Sequence, residues 1–390
     1  MSNFENSAVN LPVLRERAFN GRWAVIPEDV IPLTAADPDF PVAPPILEAM
    51  HAYLRAGYLN YGPFCGLDSF KVSVATHFNT RKGCQFEPRH VLAVNSAASG
   101  MQQVLQAMIQ PGDEAIIMDP VDFLFKTTVE AVGGRPILWP VADDGLDVGC
   151  LQALITPRTK IICLCNPHNP LGRVFTLPEL QSLAALAESH GIWILSDEIW
   201  SDVVYDNREF VSFSAVSDWA AEHSFTVYGF SKTFGLAGLR IGAILCANEA
   251  RLEQLITRAG YQSTIEGVST LSQIAASAAL DHAWPWAQDF VAHLQQNRDL
   301  ALEMLNQSDF FTTQKPQGTF VLFPRLNLEI DSTLFADRLL QVGKVAVVPG
   351  AARWFGPGAK GHFRLCLSTS REILSTGINR ILEATCDWQP

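Results

Sequence analysis

Val227 to Gly242 reads VYGFSKTFGLAGLRIG, and the fold turns on how this stretch is read. The apolar run Phe225–Phe230 predicts a buried strand. It ends in Ser231-Lys232, and a Gly-rich segment beyond it carries Arg240. A lysine at the end of a buried strand is costly unless it has a partner or a task. Partial desolvation lowers its pKa and makes the neutral amine available to attack a carbonyl. A lysine in a surface loop is the plain alternative, so the rest of the chain has to decide.

Outward from this stretch, strands and helices alternate from residue 90. HVLAVNSA, EAIIMDP, RPILWPV, KIICLCNP, IWILSDE, FTVYGFSK and IGAILC predict strands. SGMQQVLQAMI, residues 123–132 and LPELQSLAALAESH predict helices between them. Near-continuous apolar strands in this alternation predict an α/β fold with a mostly parallel sheet covered on both faces. Upstream, PPILEAMHAYLRAG (44–57) predicts a helix closed by Gly57, Tyr58–Gly66 a loop, and Asp68–Arg81 a second helix with Asp68 as its N-cap. Residues 1–44 are Pro-rich without helical periodicity and predict an irregular arm. The chain turns helical from 249 to 308. TFVLFPRL, a helix at 331–342, VAVVPG, HFRLCLS and a last helix then predict a smaller α+β unit. With 390 residues, more than one core usually serves, the expected division is an arm joined to the small domain at 1–44, a large domain at 45–285 and a small domain at 286–390.

Composition narrows the function. Hydrophobic residues make up 48% and charged residues 17%, which suits a large core and argues against disorder. A net charge of −12 without a long Lys/Arg cluster argues against a nucleic-acid surface. No long apolar run predicts a membrane span, and MSNFENSAVN lacks the pattern of a signal peptide. The eight cysteines are scattered, with no C-x-x-C pair. They fit a reducing, cytoplasmic setting and argue against a zinc cage, so no metal is expected.

Ligands of open α/β sheets bind beyond the carboxyl ends of the strands, so the strand ends give a candidate site. At the first, Asn95-Ser96-Ala97-Ala98-Ser99-Gly100 leads into a helix and offers backbone N–H groups to an anion, or is an ordinary cap. It matches neither the dinucleotide nor the nucleoside-triphosphate fingerprint. After EAIIMDP, Phe123 is placed to stack on a flat ligand or to join the core. Asn166-Pro167-His168-Asn169-Pro170 presents amide groups from rigid turns. Asp197 ends an apolar strand, where a carboxylate either meets a cation or protonated nitrogen or caps the next segment. Ser231, Lys232 and Arg240 complete the set. Together they match pyridoxal 5'-phosphate, which needs a lysine for its aldehyde, a carboxylate for its ring nitrogen, a donor to its phenolic oxygen and a phosphate cup.

HNPLG, SDE and SKTFGLAGLRIG, in that order, give the chain a resemblance to the fold-type I pyridoxal-phosphate enzymes of the class I/II aminotransferase superfamily, from residue 12 to 385. The resemblance implies a seven-stranded, helix-sandwiched large domain and a smaller α+β domain. It implies Lys232 as the Schiff-base lysine, Asp197 as partner of the ring nitrogen and Asn169 as ligand of the phenolic oxygen. Ser231, Arg240 and the backbone at Ala97-Ala98 become the phosphate cup. Arg364, in HFRLCLS, becomes the fork for the carboxylate of an amino-acid substrate, with Asn169 beside it. Tyr61, in NYGPFCG, matches a tyrosine that reaches the phosphate of the neighbouring subunit, implying a homodimer with shared sites. Two positions depart from the family pattern. The ring-stacking aromatic falls at Asp122, leaving Phe123 to take its place. A Tyr or His near the phenolic oxygen is replaced by Trp200, whose indole donates but is neither acid nor base.

RWAVIPEDVIPLTAADPDFPVAPPILEAM is similar to the opening of the MalY/PatB branch, the cystathionine β-lyase-like C–S lyases, which reads A-D-M-D-F where this chain has Ala36-Asp37-Pro38-Asp39-Phe40. That similarity puts β-elimination from an S-substituted cysteine first, giving thiol, pyruvate and ammonia. Amino transfer to a 2-oxo acid is the alternative, since Lys232 takes the same Cα proton in both. A regulatory, protein-binding member of the fold is a further one.

Overall fold

The computed structural model describes residues 4–141 and 145–386; residues 1–3 and 387–390, the outer ends of the expected first and last segments, lie outside them. Seven strands form the central sheet in the order Val91–Val94, Gly242–Leu245, Ser224–Gly229, Trp193–Asp197, Thr159–Cys165, Glu114–Asp119 and Arg135–Pro140. Gly242–Leu245 runs antiparallel to both its neighbours. All other pairings are parallel. Four of the inner strands are buried along their whole length, which is why they read as unbroken apolar runs rather than alternations. The parallel direction gathers Asp119, Cys165, Asp197 and Gly229 at one edge of the sheet, each as the last residue of its strand.

Helix ends follow local chemistry. The Pro44–Ala56 helix stops at Gly57, which takes a φ of +77° that a side chain would resist. The Leu177–His190 helix begins with a reciprocal capping box between Thr176 and Glu179. The expected cap at Asp68 is corrected. The helix Asp68–Lys82 has Leu67 in the cap position, and no side chain caps it. Asp68 is the first helical residue and pairs with Lys71 at 3.1 Å. A carboxylate in the first turn is favourable there through the helix dipole alone.

The arm is more ordered than its composition predicts. A short helix spans Leu11–Arg17, and the Asn10 side chain accepts from the Val13 N–H at 3.3 Å. Seven residues are too few to show a helical period. Ile31–Pro32 then pairs in parallel with Val345–Ala346. Arg22 and Asp39 form a buried ion pair at 2.5 Å, and the Trp23 indole donates to Asp39 at 2.9 Å. Phe40 packs edge-on against Phe4 at 5.1 Å. The Ala36–Phe40 segment is thereby fixed over the sheet's carboxyl edge.

The expected boundary at 285 falls at the start of the Trp284–Leu305 helix. One apolar core lies around the sheet and its helices. A second joins the arm, the Asp68–Lys82 helix, the Trp284–Leu305 helix and the C-terminal elements. TFVLFPRL yields two short strands rather than one. Val321–Leu322 pairs with Phe363–Cys366, and Arg325–Leu326 pairs with Phe311–Thr312. Pro324 lies between them and cannot donate to a ladder. The helix expected at 331–342 is α-helical over Ser332–Arg338 and widens into a π turn over Leu339–Gly343.

Candidate active site

The carboxyl edge of the sheet opens into a cavity of about 720 Å³. Ala97, Ala98, Phe123, Asn169, Asp197, Trp200, Ser231, Lys232, Arg240 and Arg364 all line it. Tyr61 does not; its side chain stands 89% exposed on the surface of its own chain.

Lys232 follows the Ser224–Gly229 strand by one turn. Its Nζ donates to the Ala36 carbonyl at 2.7 Å and lies 5.3 Å from the centroid of the Trp200 ring. Burial lowers its pKa, against the opposing pull of Asp37. The amine is therefore biased towards the neutral, nucleophilic form.

Asp197 is buried at the end of its strand, and its Oδ1 accepts from the Ile199 N–H at 3.2 Å. Burial pushes its carboxyl up to about 7, with Asp122 and Glu198 adding to the shift. No ion pair meets it among the described residues, so it is a carboxylate in want of a cation or a protonated nitrogen. Glu198 beside it accepts through Oε1 from Ser196, Ser212 and the Phe213 N–H at 2.9–3.0 Å, while its Oε2 is buried without a hydrogen-bond partner.

At the other end of the cavity the Ala97–Met108 helix begins. Ser96 caps it, accepting from the Ser99 N–H at 3.1 Å, and the Arg240 Nη2 donates to the same hydroxyl at 3.1 Å. Arg240 takes a φ of +51°, uncommon for a residue with a side chain, as its segment turns towards the helix. A Cβ at Gly242 would lie 3.0 Å from the Ala97 nitrogen and 2.8 Å from the Tyr228 carbonyl oxygen. The missing side chain lets strand and helix start meet, forming a cradle of backbone N–H, hydroxyl and guanidinium suited to an anion.

Asn169 joins two charged groups. Its Nδ2 donates to Asp122 at 3.0 Å, and its Oδ1 accepts from Arg364 Nη1 at 3.1 Å. Arg364 is held by the Phe363–Cys366 strand, with its guanidinium carbon 5.1 Å from the Phe355 ring centroid. Its Nε is buried without a hydrogen-bond partner.

Trp200 is packed edge-on against Phe320 at 4.6 Å, so its indole forms wall beside the lysine. Phe123 packs edge-on against Trp354 at 5.6 Å, and both are partly exposed at the cavity mouth. Sequence reasoning did not find Trp354, Phe355 or the Ala36 carbonyl. The aromatic pair WF, in the short helix Ala352–Phe355, was the available signal for the first two; a backbone acceptor has none. It also missed the support behind the turn carrying Trp200. There Asp202 accepts from Lys82 at 2.8 Å, from the Tyr228 hydroxyl at 2.5 Å, and meets His77 at 3.0 Å. Burial alone would raise the Asp202 carboxyl, but Lys82 and His77 hold it far below the usual carboxylate range. His168 is buried and neutral, its pKa lowered by burial to about 3.

A family model for aminotransferase class I and II matches residues 28–381. The arginine–pyruvate transaminase AruH of Pseudomonas aeruginosa is 32% identical over 363 residues, spanning 91% of this chain and 89% of that protein. An aspartate aminotransferase of Geobacillus stearothermophilus is 30% identical over 364 residues, spanning 90% of each. A solved structure from Clostridium difficile 630, with pyridoxal phosphate bound, superposes with a TM-score of 0.90 at 25% identity, covering 98% of this chain and 100% of that one.

Proposed function

The chain belongs to the aminotransferase class I and II family of pyridoxal-phosphate enzymes, and from that premise we propose that it moves an amino group between an amino acid and a 2-oxo acid, with Lys232 as the acid–base residue. The observation that carries this reading is a buried, unpaired Asp197 facing the same cavity as the buried amine of Lys232. The residues fit the cofactor. The cradle of Ala97, Ala98, Ser231 and Arg240 suits its phosphate, Asn169 its phenolic oxygen, Asp197 its ring nitrogen and Lys232 its aldehyde. Phe123, Trp354 and Trp200 supply the flat walls. When bound, the cofactor supplies an electron sink for the pair left by the broken Cα–H bond. Arg364 and Asn169 hold the substrate carboxylate and fix which Cα bond faces Lys232. The Lys232 amine, oriented by the Ala36 carbonyl and biased towards the neutral form by burial, would take the proton from the substrate Cα, and amino transfer requires that it give that proton to the cofactor's former aldehyde carbon rather than back to Cα. Asp197 holds the proton at the ring nitrogen. Trp200 shuts water away from the amine and takes no proton.

The family and the two relatives named above are aminotransferases, so support lies with amino transfer rather than with the β-lyase reaction the N-terminal similarity put first. Within that N-terminal stretch, Arg22 pairs with Asp39 in the core and the Trp23 indole donates to the same carboxylate. We further infer a homodimer in which Tyr61 reaches the partner's phosphate cradle, and a two-lobed subunit divided near residue 285. The free state of all eight cysteines suits the cytoplasm. Incubation of the holoenzyme with a panel of amino acids and 2-oxo acids tests the reaction. New amino acid formed only when a 2-oxo acid is present supports it. Thiol and pyruvate released from S-substituted cysteine, without transfer, would replace it by the lyase reading.

A further inference from the structure

Asp122 is a cavity residue to which the proposed reaction gives no task. Its Oδ1 caps the Phe123–Ala131 helix, accepting from the Leu124 N–H at 3.2 Å. Its Oδ2 accepts from Asn169 Nδ2 at 3.0 Å and lies 4.0 Å from Arg364 Nη1. Asn169 Oδ1 accepts from that same Nη1 at 3.1 Å. Acid, amide and guanidinium thus form one chain along the cavity wall. An amide has one oxygen to accept and one nitrogen to donate, so the chain dictates which way Asn169 points.

Resting on the reading of Arg364 as the carboxylate fork, we propose that Asp122 is a specificity-determining residue that makes the site select amino acids with neutral or cationic side chains and reject dicarboxylic ones. Arg364 meets a first carboxylate with its buried, unpartnered Nε still to satisfy. Asp122 already offsets part of the Arg364 charge, and a second carboxylate beside it meets a fixed negative group. Inside a cavity such repulsion is screened far less than in water. The other cations of the cavity do not cancel it. Lys232 is bound to Ala36, and Arg240 to Ser96 at the anion cradle. Arg353 is exposed at the mouth, over Trp354 at 5.6 Å, and Asp337 of opposite sign lines the same cavity. Arg364 Nη2 also donates to the Thr34 carbonyl at 3.5 Å, and Phe123, Trp354, Phe355 and Leu340 add apolar wall to the same cavity.

The test compares equilibrium binding of butyrate and succinate to the holoenzyme, read from the cofactor's absorbance and using no amino transfer. Asp122→Asn keeps the shape and an acceptor for Asn169, while Asp122→Ser keeps a good helix cap; both remove the charge. The expected result is a gain of about tenfold or more in succinate affinity relative to butyrate in both variants. An unchanged ratio in either variant that retains the cofactor spectrum overturns the proposal. The predicted shift in a protein that transfers no amino group would overturn the proposed function and not this assignment.

Discussion

Asp197 is held at about 7 by burial, well above the ordinary aspartate value of 3.8. The folded apoprotein therefore binds a proton more tightly than the unfolded chain, and stability falls as pH rises between those two values. Asp197→Asn removes that dependence. In the cofactor-free protein the variant is expected to match the wild type near pH 4 and to exceed it at pH 8, by about 4 kcal/mol at most. Urea midpoints at the two pH values check this; a variant less stable than wild type at pH 8 would mean that a cation pairs with Asp197 in the empty site. The holoenzyme should reverse the order, because the ring nitrogen's proton then offsets the buried charge. Lys232, Asp197 and Asn169 were legible as polar residues at or just beyond the ends of apolar runs, whereas Arg364, inside its strand, was marked only by the family resemblance. Ala36 was not, since its contribution is a carbonyl. The pairing of Asp122 with Asn169 joins residues far apart in the chain, and no local pattern encodes it.

Among the elements, the arm and the cradle carry the most specific expectations. Arg22 and Asp39 are both almost wholly buried. Asp39→Asn leaves the guanidinium uncompensated and should cost about 3–5 kcal/mol, read by chemical denaturation. The same segment presents the Ala36 carbonyl to Lys232, so loosening it should also free the amine from that acceptor. Gly242→Ala drives a methyl group against the Tyr228 carbonyl oxygen and the start of the Ala97–Met108 helix. The expected loss is about 1–3 kcal/mol of stability together with weakened cofactor affinity; unchanged affinity would place the phosphate elsewhere. The sheet strands and the longer helices were readable because burial on both faces and helical periodicity leave strong patterns. The Phe311–Thr312 strand, the break at Pro324 and the Leu11–Arg17 helix were not, because they are set by distant pairing partners, a missing donor and a single cap rather than by period.

For the whole molecule, a cavity whose walls come from the arm, the sheet and the C-terminal strand Phe363–Cys366 requires all three to dock before the site exists. The proposed reach of Tyr61 into a partner's cradle would extend that dependence to a second copy. Each chain has a mass of 42.8 kDa, and sedimentation should give twice that value. Tyr61→Phe is expected to weaken cofactor affinity about tenfold through one lost hydrogen bond to a charged group, although Tyr61 lies outside the cavity of its own chain; an unchanged affinity would remove the partner from the site. Among the described residues no helix is long and apolar enough to cross a membrane. The most direct test of amino transfer follows the nitrogen itself. Holoenzyme given a ¹⁵N-labelled amino acid of neutral side chain and unlabelled pyruvate should place the label in alanine, in proportion to the 2-oxo acid formed. Label recovered as free ammonium, with none in alanine, would contradict it.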